Sequence, residues 1–234
     1  VNQDNNKVTE FDYSGMKEFK NLIGQNKITG LLEDRLNNIW IATSFGLFKY
    51  NGSTITSYFC ESYTKTGLCN DWVNVVYEDR QGWIWVGTNE GVKYLIPGES
   101  EFLHNPNLTG QPKNISNNHV LSFCQISDQE IMIGTRSGLT VFSKTNNSFS
   151  IFPYNSLLTN DVINNIVIDG QKQIWIGTNN GVAMINQANQ ITNFHKRDGL
   201  RNSYFFRGTM AMYEGKVFFA GSNGIDFIDP ADIR

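Results

Sequence analysis

Ile174-Trp175-Ile176-Gly177-Thr178-Asn179-Asn180-Gly181-Val182 decides the fold, because it recurs. Ile84-Trp85-Val86-Gly87-Thr88-Asn89-Glu90-Gly91-Val92 and Ile39-Trp40-Ile41-Ala42-Thr43-Ser44-Phe45-Gly46-Leu47 are close copies. Ile131-Met132-Ile133-Gly134-Thr135-Arg136-Ser137-Gly138-Leu139 replaces Trp by Met, and Phe218-Phe219-Ala220-Gly221-Ser222-Asn223-Gly224-Ile225 is the most altered copy. The Trp-equivalent positions 40, 85, 132, 175 and 219 are separated by 45, 47, 43 and 44 residues. A fixed period of about 40–50 residues built from short strands is the mark of a β-propeller.

The chemistry of one copy agrees. Ile-Trp-Ile is apolar on both sides of the β alternation, as expected for a strand buried on both faces between neighbouring blades. The following Gly allows close approach of a neighbour. Thr-x-x-Gly then forms a turn in which the Thr hydroxyl serves the backbone and Gly adopts a left-handed conformation. The fold class expected is all-β: a β-propeller of about five four-stranded blade repeats, either a closed ring or part of a larger propeller.

Working outward gives the boundaries. Residues 1–27 supply outer strands of a blade; 28–71, 73–118, 120–161 and 162–205 are blade repeats; 206–234 is a last, incomplete blade, ended by Pro230. The chain starts inside repeat-like sequence, which suggests a piece of a longer protein. If Lys17–Leu22 completes the last blade the ring closes; otherwise the repeats form an open arc that exposes apolar faces. No helix is expected. An Asn precedes each inner strand (Asn26, Asn70, Asn117, Asn160, Asn202), a residue suited to capping turns.

Composition narrows the function. Aromatic residues make up 13% and charged residues 18%, the net charge is −3, and Lys and Arg are scattered, so no nucleic-acid footprint is present. No apolar run approaches the ~20 residues of a membrane helix. Cys60 and Cys69 flank the insertion Glu61–Leu68 and could form a disulfide in an oxidising compartment; three free thiols, with Cys124, is the alternative. No Cys/His spacing suits a metal, and no cofactor is expected.

The repeat resembles the two-component regulator propeller repeat, in which an inner strand ending in Glu-Asp leads into Gly-x-Ile-Trp-Ile-Gly-Thr-x-x-Gly-Leu. Glu78 to Val92 matches nearly throughout; Met132 and Phe219 depart from the pattern, and their repeats lack the Glu-Asp pair. The last repeat is similar to the closing blade of periplasmic sensor regions in Bacteroides-type hybrid two-component proteins. That resemblance implies propellers usually of seven blades, followed by a β-sandwich, a membrane helix, a histidine kinase and often a response regulator with a DNA-binding tail. It further implies a homodimeric full protein, phosphorelay signalling, and a response to oligosaccharides released from glycans.

A residue repeated in every blade serves the blade, so Trp40, Trp85 and Trp175 are read as core. A ligand site belongs where repeats differ, in the loops leading into the inner strands at one mouth of the channel. The candidates there are Asp71, Trp72, His119, Asn160, Asp161, Arg201, Asn202, Tyr204 and Arg207. Aromatic faces with Asn, Asp and Arg around them suit a sugar. No catalytic residue is assigned, because His104, His119 and His195 form no Ser-His-Asp order and the Glu-Asp pairs recur as turn features. The alternatives are a scaffold propeller for protein contact or dimerisation and, more weakly, a propeller lyase.

Overall fold

The computed structural model describes residues 27–59, 72–103 and 115–233. These residues form five antiparallel sheets, each a meander. The first contains β1 (Ile28–Glu33), β2 (Ile39–Thr43), β3 (Gly46–Tyr50) and β4 (Ile55–Tyr58). The second contains β5 (Val73–Glu78), β6 (Ile84–Thr88) and β7 (Gly91–Leu95). The third contains β8 (Val120–Ser127), β9 (Glu130–Thr135), β10 (Gly138–Ser143) and β11 (Ser148–Ile151). The fourth contains β12 (Ile163–Ile168), β13 (Ile174–Thr178), β14 (Gly181–Ile185) and β15 (Ile191–Phe194), and the fifth β16 (Ala211–Tyr213), β17 (Lys216–Gly221) and β18 (Gly224–Ile228). This is the expected β-propeller.

Two sheets show three strands rather than four among the described residues. In the second, Phe102 is buried in the core and Leu103 makes a single bridge to Tyr94, where the first, third and fourth repeats pair a full outer strand. In the fifth, Asp229 caps a 3-10 turn at Pro230–Asp232, and Pro230 ends the strand as its missing N–H requires. Two further 3-10 turns, Asn155–Leu157 and Lys196–Asp198, are the only other helical elements among the described residues. The proposed N-terminal hairpin, the Lys17–Leu22 strand and the Cys60–Cys69 pair lie outside the described residues. Cys124 is a free, buried thiol pushed up to about 12 by burial.

The core is four apolar layers, one between each pair of consecutive sheets. Trp40, Ile84 and Phe102 help fill the first; Trp85, Phe123 and Phe142 the second; Met132, Ile166 and Ile176 the third; Trp175, Phe205 and Phe219 the fourth. Trp40, Trp85 and Trp175 are at most 1% exposed, so they are packing residues.

Each Trp is also a hydrogen-bond donor. The indole N–H of Trp40 donates to Asp34 Oδ2 at 2.8 Å, that of Trp85 to Asp79 Oδ2 at 2.8 Å, and that of Trp175 to Asp169 Oδ2 at 2.9 Å. The other carboxylate oxygen accepts two backbone N–H groups of the intervening turn, from Leu36 and Asn38, Gln81 and Trp83, or Gln171 and Gln173. Burial acts to raise the Asp34 carboxyl, but the hydrogen bonds from Trp40, Asn38 and Leu36 outweigh it and hold it below its ordinary value. The Asp and Trp features of the repeat are thus one device, while Glu78 beside Asp79 pairs instead with Arg35.

The Thr-x-x-Gly turns form as expected. Thr88 Oγ1 accepts from Glu90 N–H and donates to the Gly91 carbonyl, and Thr135 does the same with Ser137 and Gly138. Gly91 and Gly138 take φ of 132° and 97°, a region closed to most side chains. Gly134 serves a different need: a Cβ there would meet Ile163 of the next inner strand, its Cγ2 at 2.6 Å and its carbonyl oxygen at 2.9 Å.

Gly134→Ala is therefore expected to destabilise the fold by about 1–3 kcal/mol in urea unfolding, the usual cost of overpacking. Gly170, whose Cβ would meet nothing within 4 Å, is the control. Gly170→Ala should stay within about 0.5 kcal/mol of wild type.

Candidate functional site

The inner strands line a channel, and each of the first four carries one extra residue near its start. The register slips between Ile28 and Gly30, Val73 and Val75, Val120 and Ser122, and Ile163 and Asn165. The odd residues are Thr29, Asn74, Leu121 and Asn164, and all four line the channel. A β-bulge re-aims a side chain that regular alternation would send elsewhere. Here it presents one side chain per repeat to the channel.

Above this ring the channel widens to a mouth with a cavity of about 870 Å³, lined by Trp72, His119, Arg136, Tyr204, Arg207, and the asparagines 74, 89, 164 and 179, with Leu121 and Val162. A narrower cavity of about 370 Å³ continues between the inner strands and shares Asn74, Leu121, Asn164 and Arg207 with the mouth. The amides are oriented. Asn74 Nδ2 donates to Asn89 Oδ1 at 2.9 Å, and Asn164 Nδ2 donates to Asn179 Oδ1 at 2.7 Å and to the Phe205 carbonyl at 3.0 Å. Arg207 reaches across the channel from the fifth repeat, donating from Nη1 to Asn74 Oδ1 at 3.0 Å. Trp72 and Tyr204 are 42% and 43% exposed, with Tyr204 packed edge-on against Phe206.

The mouth is electropositive. Burial, reinforced by the charges of Arg136 and Arg207, holds His119 below the usual imidazole value. Burial also pushes Arg207 down; Tyr204 opposes this and Arg136 adds to it. Among the described residues no carboxylate lines the cavity.

Of the residues singled out from the sequence, Trp72, His119, Tyr204 and Arg207 come together at this mouth. Asp71 lies outside the described residues. Asn160 and Asp161 do not line the cavity: Asn160 Oδ1 accepts the Val162 N–H, and the Asp161 carbonyl accepts the Gly138 N–H. Arg201 is exposed outside it. Asn202 is fully buried, its amide donating to Asp226 and the Gly224 carbonyl and accepting from Asn223 N–H. Its role is to tie the loop to β18. His195 sits in the turn at Lys196–Asp198, apart from the mouth.

Sequence reasoning passed over Arg136 and the four asparagines. The signal for Arg136 was available. The residue after Thr in the repeated turn is Ser44, Asn89, Arg136 and Asn179, so one repeat places a cation where the others have a small polar residue. The bulge residues left no such signal, since one extra residue in a strand of six to eight residues blurs its alternation.

Stacked meanders of three or four strands around a channel, with an unrepeated cluster at one mouth, define a repeat propeller. The two component regulator propeller family model matches residues 22–45, 67–90 and 156–180. Among solved structures, the extracellular domain of the hybrid two-component system BT4673 from B. thetaiotaomicron superposes with a TM-score of 0.64 at 20% identity, over 81% of this chain and 25% of that one. The corresponding domain of BT3049 from the same organism gives 0.57 at 20% identity, over 88% and 34%. Virginiamycin B lyase from Staphylococcus aureus gives 0.59 at 12% identity, over 86% and 69%. At these identities the likeness is one of fold, and the chain spans about a quarter to a third of those two extracellular domains. No curated protein sequence matches the chain.

The His119 imidazole, followed by NMR and assigned with His119→Gln, should titrate below 6.5. Arg136→Gln should raise its midpoint while leaving it depressed by burial. A midpoint at or above 6.5 in the wild type would contradict this electrostatic picture.

Proposed function

We propose that the chain is an extracytoplasmic, periplasmic sensor propeller of a hybrid two-component system. It binds an oligosaccharide at the channel mouth and relays occupancy to a histidine kinase carried by the same protein. The observation that carries the reading is the mouth itself. Trp72 and Tyr204 present half-exposed aromatic faces beside amides whose orientation is fixed by their neighbours. Sugars need that combination of apolar platform and preset donors and acceptors. The propeller repeats and the fold shared with BT4673 and BT3049 support the sensor role.

Calorimetry with a panel of neutral and acidic oligosaccharides tests the reading. A saccharide that binds the wild type should bind Trp72→Ala and Tyr204→Ala about tenfold more weakly or worse, since a buried aromatic contact contributes on the order of 1–2 kcal/mol. Saccharide binding unchanged in both variants would move the site away from the mouth.

A second reading has its own observation. Large exposed apolar side chains occur on the first and last sheets: Ile28 and Leu31 on β1, Tyr213 on β16, and Ile225 and Phe227 on β18. This favours protein contact at these two sheets, as in a scaffold or dimer. Light scattering showing a dimer that Leu31→Glu or Phe227→Glu dissociates would favour it; a monomer with an active mouth would not.

A further inference from the structure

At the mouth, the third repeat breaks the pattern of its neighbours. In the second and fourth repeats the residue after Thr is an Asn that accepts a hydrogen bond from the Asn at the bulge, Asn74 to Asn89 and Asn164 to Asn179. In the third repeat these positions are Leu121 and Arg136. Leu121 offers no polar atom, and Arg136 makes no side-chain hydrogen bond or ion pair among the described residues. Its guanidinium is exposed at the mouth, on the same cavity as Arg207 and His119.

Arg207 is similarly incomplete. Its Nη1 donates to Asn74, and no other acceptor engages its guanidinium among the described residues. The charge of Arg136 acts against that of Arg207 and against a proton on His119. Two cations brought to one cavity without a carboxylate disfavour one another. An anion between them would relieve this, and guanidinium groups are well shaped to bind carboxylate or sulfate oxygens in pairs.

Resting on the oligosaccharide reading above, we infer that the ligand of this mouth is an acidic oligosaccharide, whose carboxylate or sulfate ester is held between Arg136 and Arg207 while its rings lie against Trp72 and Tyr204. The arginines then supply selectivity and the aromatics supply contact area. A neutral saccharide of the same shape would leave both cations unpaired and bind more weakly.

Two measurements separate this inference from the reading it rests on. First, His119 is followed by NMR while inorganic sulfate is added at constant ionic strength against chloride. Sulfate at the mouth should raise the His119 midpoint saturably, and Arg136→Gln, an exposed substitution, should abolish the rise. A response equal to that in chloride would overturn the inference. Second, calorimetry compares tri-galacturonate with its methyl ester, and sulfated lactose with lactose. These pairs distinguish a carboxylate from a sulfate ester. The acidic member of at least one pair should bind about tenfold more tightly or better at low salt, with the difference shrinking at high salt and in Arg136→Gln. Equal binding within both pairs would overturn the anion while leaving the oligosaccharide reading intact. A saturable sulfate response with every saccharide silent would instead overturn the saccharide and leave a plain anion site.

Discussion

The carboxylate of Asp169 accepts the indole N–H of Trp175 at 2.9 Å with one oxygen and two turn N–H groups with the other. The same clamp joins Asp34 to Trp40 and Asp79 to Trp85. It fixes three things together: the turn between the first two strands of a sheet, the register of those strands, and the orientation of the largest side chain between that sheet and its neighbour. A buried carboxylate is tolerated because each oxygen is satisfied, and a buried indole is tolerated because its only donor has an acceptor. The two departures from the repeat follow the same logic. Where Met132 and Phe219 replace Trp there is no N–H to satisfy, and the position six residues earlier, Asp in the clamped repeats, is Ile126 or Tyr213. Ser127 and Glu130 close the third hairpin, and Glu214 and Gly215 at positive φ close the fifth.

With the sheets held by repeated devices, the positions left over are free to differ. The bulge at the start of the first four inner strands turns Thr29, Asn74, Leu121 and Asn164 to the channel, so the same geometry presents a hydroxyl, an alkyl group and two amides. The loops above them do the same on a larger scale, contributing Trp72 before the second sheet, His119 before the third, and Tyr204 and Arg207 before the fifth. A rigid repeated frame carrying unrepeated side chains at one mouth is how a propeller can acquire a specific site without disturbing its core.

The period of the Ile-Trp-Ile phrase was enough to establish the sheets, because burial on both faces leaves an apolar run that no surface strand carries. The glycines after it were legible too, and Gly134 does lie against the next inner strand. Four mouth residues emerged from asking where the loops differ. Asn202 misled, because an Asn in a loop looks the same in sequence whether its amide faces a channel or, as here, binds a buried Asp226. Arg136 was overlooked because it sits inside the repeated turn, where Thr135 and Gly138 carry the geometry and the residue between them is free. The irregular outer edge of the second sheet was equally hidden: among the described residues Phe102 fills the core position and Leu103 makes only a single bridge to Tyr94.

The clamp can be measured directly by a double-mutant cycle on Asp169 and Trp175, whose carboxylate has no ion-pair partner among the described residues, unlike that of Asp79 with Lys144. Trp175→Phe removes the N–H and keeps an aromatic ring, Asp169→Asn removes the charge and keeps a turn acceptor, and urea unfolding gives the free energy of each variant and of the pair. A hydrogen bond to a charged group predicts a coupling of about 1.5–3 kcal/mol. Strict additivity of the two substitutions would contradict the account, since the carboxylate and the indole would then support the blade independently.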